Sequence, residues 1–439
     1  MIHASIPLVS DGRGFRRNRA VRRWPAWSQL QTLLVLERPV LSRKRRWLAR
    51  AQTIDDLRTM AARTTPRSVF DYVDGGAESE ISVERSRESF QKLTFHPRIL
   101  RGVSEVDTRA LILGKQARLP LVLGPSGFTR MLHHEGERGV AVAAATAGIP
   151  YALSTMGTTS LEDVRSAAPH GEHWFQLYVW RDRGLSAELI RRAQAAGYSA
   201  LVLTVDVPVP GARLRDIRNG LTIPPALRLR TLADMSRHLS WWFNLLTTEP
   251  LSFASLSQSP TALNELITTM FDPSVTFDDL EWLRSQWQGP LIVKGIQRAD
   301  DAVRAVQAGA DALVLSNHGG RQLDRAVTPL ELLPAALDAV QDRAEIYLDG
   351  GVRSGADVAA AVALGARACL IGRPYLYGLM AGGAEGVRRT VDILSSELTR
   401  TMQLLGARAL TELTPDLVTS AWSVELDAQP RGFRRSDGR

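Results

Sequence analysis

Eight repeats of a short apolar strand followed by a helix, spread over residues 119–410, predict a closed (β/α)8 barrel. Two further observations support it. The strands are apolar almost without interruption, as parallel strands covered on both faces must be. Nearly every strand also ends on polar residues. A doubly wound open sheet is the runner-up, but it does not call for eight even units. The class is α/β: a TIM barrel with an N-terminal helical cap and a long loop after strand four.

In order, the strands are LPLVLGPSG (119–127), PYALST (150–155), HWFQLYV (173–179), ALVLTVD (200–206), PLIVKG (290–295), ALVLSN (312–317), EIYLDGG (345–351) and ACLIGRP (368–374). Between them lie GERGVAVAAATAG, SAELIRRAQAAG, ADDAVRAVQAG and SGADVAAAVALG. Their apolar residues recur at helical spacing, and each ends on the glycine expected just past a helix. Residues 53–118 read as the cap, beginning with the short helices of TIDDLRTMAARTTPRSVFDYVDGGAESE (53–80). The loop after strand four, 214–275, is far longer than its counterparts and carries adjacent Trp241, Trp242 and Phe243. Residues 411–439 read as a C-terminal tail.

Composition narrows the function classes. A content of 44% hydrophobic and 23% charged residues is that of an ordinary globular chain. The single cysteine, Cys369, rules out a disulfide framework and a multi-thiolate metal or iron–sulfur centre; no metal is expected. Residues 1–50 hold twelve Lys/Arg against two acidic residues, a balance of +10, so a total of +8 leaves the remainder at −2. The basicity therefore belongs to an N-terminal extension, 1–52, and not to the fold. That extension reads as disordered or as docking on an anionic bilayer, through the apolar patch and cations of LQTLLVLERPVLSRKRRWLAR (30–50). No nucleic-acid recognition motif accompanies the charge, so no nucleic-acid partner is expected. Without a signal-peptide pattern or membrane-length apolar run, the expected location is the cytoplasm.

Barrel active sites lie at the C-terminal strand ends. Those ends carry Pro125, Ser126 and Gly127; Ser154; Gln176 and Tyr178; Thr204 and Asp206; Lys294; Ser316, His318 and Arg321; Asp349, Gly351 and Arg353; Gly372 and Arg373. The paired glycine–arginine loops after strands seven and eight suit a phosphate, because glycine lets backbone N–H groups approach an anion and arginine offers a planar donor fork. Asp206 is placed to stabilise an imidazolium on His318, and Arg321 or Arg213 to hold a carboxylate. Lys294 reads either as a Schiff-base lysine or as a fixed positive charge beside an electron-rich cofactor.

FDYVDGGAE, GPSG, LST, WFQLYV, LTVDVP, VKG, SNHGGRQLD, DGGVRSG and IGRP together resemble, in order, the FMN-dependent α-hydroxy-acid dehydrogenase and oxidase family across about residues 53–410. The resemblance implies FMN as cofactor and a small 2-hydroxy acid as substrate. It implies His318 as base with Asp206 as its partner, Arg213 and Arg321 on the substrate carboxylate, and Tyr72 and Tyr178 on its oxygens. Gln176, Thr204, Lys294, Ser154 and Ser316 would then meet the flavin, and Gly351, Arg353, Gly372 and Arg373 its phosphate, with Lys294 in the electrostatic role. It further implies a tetramer.

Gly127 stands where oxidases of the family commonly have alanine, and WWFNLLTTEPLSFASL, GARLRDIRNG and YLYGLMAGG resemble bacterial, especially actinobacterial, respiratory members. L-Lactate is the first substrate, with a quinone or cytochrome as acceptor and peripheral contact with the inner face of the cell membrane. An oxidase releasing H2O2, and a bulkier acid such as mandelate, are the alternatives.

Overall fold

The computed structural model describes residues 26–27, 42–220, 236–255 and 271–420. Most of the basic extension, two parts of the long loop and residues 421–439 lie outside the described residues.

Eight parallel strands close into a barrel: β1 Leu121–Leu123, β2 Tyr151–Ser154, β3 His173–Leu177, β4 Ala200–Thr204, β5 Leu291–Ile296, β6 Ala312–Leu315, β7 Glu345–Asp349 and β8 Ala368–Ile371. The order runs β7-β8-β1-β2-β3-β4-β5-β6, so each strand pairs with its sequence neighbours and β8 closes on β1. Alternation explains the unbroken apolar runs. Val122, Ala152, Trp174, Val202, Ile292, Val314, Tyr347 and Leu370 fill the interior. Leu121, Leu123, Leu153, Phe175, Leu201, Val293 and Leu313 face the helices. A hairpin, Ala110–Ile112 with Lys115–Ala117, adds Ala110, Ile112 and Ala117 to the interior cluster.

Register sets the site. Ser154 pairs with Gln176, and Thr204 with Lys294. An irregularity between Lys294 and Ile296 breaks the β5–β6 ladder. Gly295 occupies it at φ 112°, and a Cβ there would fall 2.7 Å from the Asp206 side chain. The glycine of VKG is therefore required by the close approach of Asp206.

The cap contributes helices Ile54–Thr64, Arg67–Asp74 and Ile81–Gln91, the first opened by a capping box between Thr53 and Asp56. Arg58 and Arg215 both pair with Asp74, Tyr377 donates to it at 2.8 Å, and Arg215 also bonds Glu80. This network fastens the cap to the helix Leu214–Asn219 of the long loop. Val418–Ser420 pairs antiparallel with Leu93–Phe95, so residues at the start of the sequence-predicted tail join the cap. Cys369 is fully buried in β8.

Farther along the long loop, the helix Leu239–Thr247 is rooted by Trp241 and Trp242, both buried; the Trp241 indole donates to the Met131 carbonyl at 3.1 Å. No helix among the described residues is long and apolar enough to cross a membrane.

Candidate active site

At the C-terminal strand ends a cavity of about 240 Å³ is lined by residues at or after the ends of all eight strands and by Tyr72 of the cap. Of the sequence-predicted residues it brings together Tyr72, Pro125, Ser126, Gly127, Ser154, Tyr178, Arg213, Lys294, His318, Arg321, Asp349, Gly351, Arg353, Gly372 and Arg373. Thr204 and Asp206 line a neighbouring cavity that shares Tyr178 with the first. Gln176 and Ser316 are buried and line neither; they act on the lining residues from behind.

His318 Nδ1 lies 3.0 Å from Asp206 Oδ1; the Asp206 side chain is fully buried while the ring remains a quarter exposed. Burial works against the Asp206 carboxylate. The His318 ring and then Lys294 outweigh it, holding the carboxyl below its usual range. The imidazole therefore sits against a fixed negative charge, with its other nitrogen free to face the cavity. Its backbone is strained: His318 has φ 58°, followed by Gly319 at 63° and Gly320 at 72°. The turn is held by Ser316 Oγ, which accepts from the His318 N–H at 3.0 Å.

The same hydroxyl donates to Asp349 at 2.7 Å and accepts from Lys294 at 3.0 Å, while Lys294 and Asp349 pair at 2.9 Å. Burial works against the Lys294 ammonium, but Asp349 and then Asp206 hold it above its ordinary range. A lysine kept charged is a poor nucleophile, and this geometry favours the fixed-charge role over a Schiff base.

Two guanidiniums flank the Tyr72 ring, Arg213 at 5.2 Å and Arg321 at 5.0 Å from its centroid. Arg321 donates to the Tyr72 carbonyl at 2.6 Å and is pushed down to about 10, by burial first and then by Arg213. Arg213 is steadied by Asp216 at 3.4 Å. Converging cations that raise one another's energy call for an anion between them. Tyr178 is buried and its phenol is raised, by burial and then by Asp206, so it stays a hydrogen-bond donor.

The helical segment Arg373–Leu405, kinked at Gly382 and Gly383, opens at Gly372, where a Cβ would meet nothing within 4 Å. Free N–H groups at a helix start suit a phosphate. Arg353 lies over the Tyr377 ring, and its Nε is buried without a partner among the described residues. Arg373 instead donates to the carbonyls of Val73, Gly75 and Gly319, fastening the cap to the turn that carries His318. Gly351 has its own cause: a Cβ would fall 2.1 Å from the Ser86 carbonyl oxygen of the cap.

Further in, Gln176 Oε1 accepts from Ser154 Oγ at 3.0 Å and from the Thr155 N–H, which leaves Nε2 unpartnered. Thr204 Oγ1 and Asp206 Oδ2 are likewise buried and unpartnered among the described residues. Native interiors rarely leave such atoms unmatched. These groups, a buried lysine and an arginine with a free donor fit a planar heteroaromatic group bearing a phosphate.

Sequence reasoning assigned no role to Gln322. Its Nε2 donates to the Asp206 and Val209 carbonyls at 3.1 Å each, and its Oε1 accepts from the Gly211 N–H at 2.9 Å. It ties the loop bearing His318 to the loop bearing Asp206 and Arg213. Its only signal was a long amide beside Arg321. The network of Asp74, Glu80 and Arg215 was also missed, because its members are distant in sequence.

A family model described as FMN-dependent dehydrogenase matches residues 61–420. A Mycobacterium tuberculosis protein named "Putative L-lactate dehydrogenase" is 55% identical over 398 residues, covering 91% of this chain and 96% of that protein. A Nostoc protein named L-lactate oxidase is 44% identical, covering 78% of this chain and 91% of its own length. Among solved structures, a monotopic membrane protein, (S)-mandelate dehydrogenase, matches with a TM-score of 0.81 at 37% identity, covering 84% of this chain and 100% of that one.

Proposed function

The chain belongs to the FMN-dependent dehydrogenase family, and from that premise we propose that it oxidises an L-2-hydroxy acid, L-lactate first, to the 2-oxo acid and passes the electrons to a membrane quinone or cytochrome. The observation that carries this reading is the His318–Asp206 pair, 3.0 Å apart, with Arg321, Arg213 and Tyr72 gathered at the same cavity. The cap, 53–118, and the barrel, 119–410, together hold the cofactor.

FMN, when bound, accepts the two electrons that leave the substrate. Gln176 Nε2, Thr204, Ser154, Lys294 and the backbone at Pro125–Gly127 would hold its ring, and Arg353 with the Gly372 helix start its phosphate. Asp349 and Ser316 keep Lys294 charged and aimed. Arg213 and Arg321 take the substrate carboxylate, and Tyr72 and Tyr178 orient its oxygens. His318 removes the proton, and Asp206 stabilises the ring once it is charged.

Bacterial membrane-associated kinship supports peripheral contact with the inner face of the cell membrane, and Leu239, Phe243 and Leu246 are exposed on one helix of the loop. A tetramer is the assembly proposed, to be read by light scattering. Mandelate is the second substrate reading, favoured by the likeness to (S)-mandelate dehydrogenase.

The test is anaerobic. L-Lactate should bleach the yellow protein, with slow recovery in air and fast recovery with a soluble quinone. Equal recovery in air with H2O2 release would make it an oxidase, and bleaching only by mandelate would move the substrate. His318→Ala should retain FMN and lose most of the bleaching rate; bleaching at the wild-type rate would remove His318 as base.

A further inference from the structure

A cavity of about 440 Å³ separate from the active site lies where the helix Leu239–Thr247 meets the cap and the β1 loop. Lys44, Arg63, Arg130 and Arg237 line it together with His133 and His134, and no carboxylate does. Two of these cations have partial partners: Lys44 lies 3.5 Å from Glu135, and Arg130 bonds the Glu249 carbonyl and lies 3.9 Å from its largely exposed carboxylate. Arg63 and Arg237 are exposed and pair with no carboxylate among the described residues.

His133, His134 and Glu135 stand close enough to hold a metal ion, but the carboxylate is committed elsewhere. Glu135 accepts from the Ala384 N–H at 2.6 Å and faces Lys44, whose ammonium repels a cation. Burial, ahead of His134 and Lys44, lowers His133 to about 4 although Glu135 opposes the shift. The electrostatics select an anion.

The same helix shows what brings the anion. Trp241 and Trp242 anchor one face, while Leu239, Phe243 and Leu246, at i, i+4 and i+7, are 70%, 67% and 61% exposed on the other. An apolar stripe beside a cationic hollow matches a bilayer whose headgroups carry negative charge. We propose that this cavity seats the phosphate of an anionic phospholipid headgroup while Leu239, Phe243 and Leu246 enter the acyl region. The inference rests on the peripheral-membrane reading above and deepens it: the cap and barrel, and not the loop alone, select the lipid.

The experiment is co-sedimentation of the full-length FMN-loaded protein with phosphatidylglycerol–phosphatidylcholine vesicles and with pure phosphatidylcholine vesicles. Wild type should bind the anionic vesicles at least about tenfold better, and binding should weaken with salt. Arg63→Glu with Arg237→Glu should erase that preference, whereas Phe243→Ser with Leu246→Ser should weaken binding to both vesicle types. Bleaching by L-lactate should be unchanged in all variants, which separates failure of the lipid site from failure of the enzymatic reading. Preserved lipid preference after the charge reversals would overturn the headgroup site. So would inorganic phosphate binding that the reversals abolish while vesicle binding persists. Loss of binding to neither vesicle type in any variant would place docking on another surface.

Discussion

Replacing Asp206 with asparagine isolates the charge of the buried pair. The amide keeps the size of the side chain and an oxygen able to accept from His318 Nδ1, but it cannot balance an imidazolium. Contact at 3.0 Å places the charge centres about 5 Å apart, where two unit charges at an effective dielectric near 20 interact by about 3 kcal/mol. Exchanging a charged hydrogen bond for a neutral one points the same way, by about 1 kcal/mol, and overlaps with that figure. Because the imidazolium forms only as the proton is taken, the loss falls on the barrier, and 1.4 kcal/mol is tenfold. The rate of anaerobic bleaching by saturating L-lactate in a stopped-flow instrument should therefore fall by about 100-fold, with FMN content unchanged. A loss smaller than about threefold would refute the argument that Asp206 acts through its charge.

Lys294→Met leaves the partly buried Asp349 opposite an apolar side chain and should lower stability by about 2–4 kcal/mol, read by denaturant unfolding; adding Asp349→Leu should recover most of it. Gly127→Ala puts a Cβ 2.7 Å from Met156 Cβ; it should cost about 1–3 kcal/mol and change the rate of reoxidation in air. The Asp74 carboxyl is lowered to about 2, because hydrogen bonds from Arg58 and Tyr377 outweigh the effect of burial. Its folded value lies below its unfolded one, so its stabilisation, on the order of 2 kcal/mol, is present above about pH 4 and lost as pH falls toward 2. Asp74→Asn should be less stable at neutral pH and show a flatter stability curve over that acid window.

The barrel was legible because its signal is repetition: eight apolar runs, each with a polar end, leave one closed arrangement. Most of the residues that line the cavity were legible for the same reason, since the end of a strand has one destination. What the chain could not reveal was which polar group answers which. Arg373 and Arg353 look alike in GRP and GVRSG, yet one fastens three carbonyls and the other keeps a free donor. Gly351 fits an anion loop in the sequence, but in the fold it makes room for the Ser86 carbonyl. Gln322 and the Asp74 network join segments far apart in the chain, and local pattern carries no information about such pairs.

The left-handed backbone at His318 has an evolutionary consequence. A β-carbon at φ 58° costs about 1–2 kcal/mol that glycine would not incur, and asparagine tolerates the region better than histidine. Selection for thermal robustness alone would therefore drift away from the base, and stabilised lineages or engineered libraries screened only for folding should accumulate inactive variants at this position. Stability and turnover pull in opposite directions at one residue, and the imidazole persists there only while oxidation of the substrate is itself under selection.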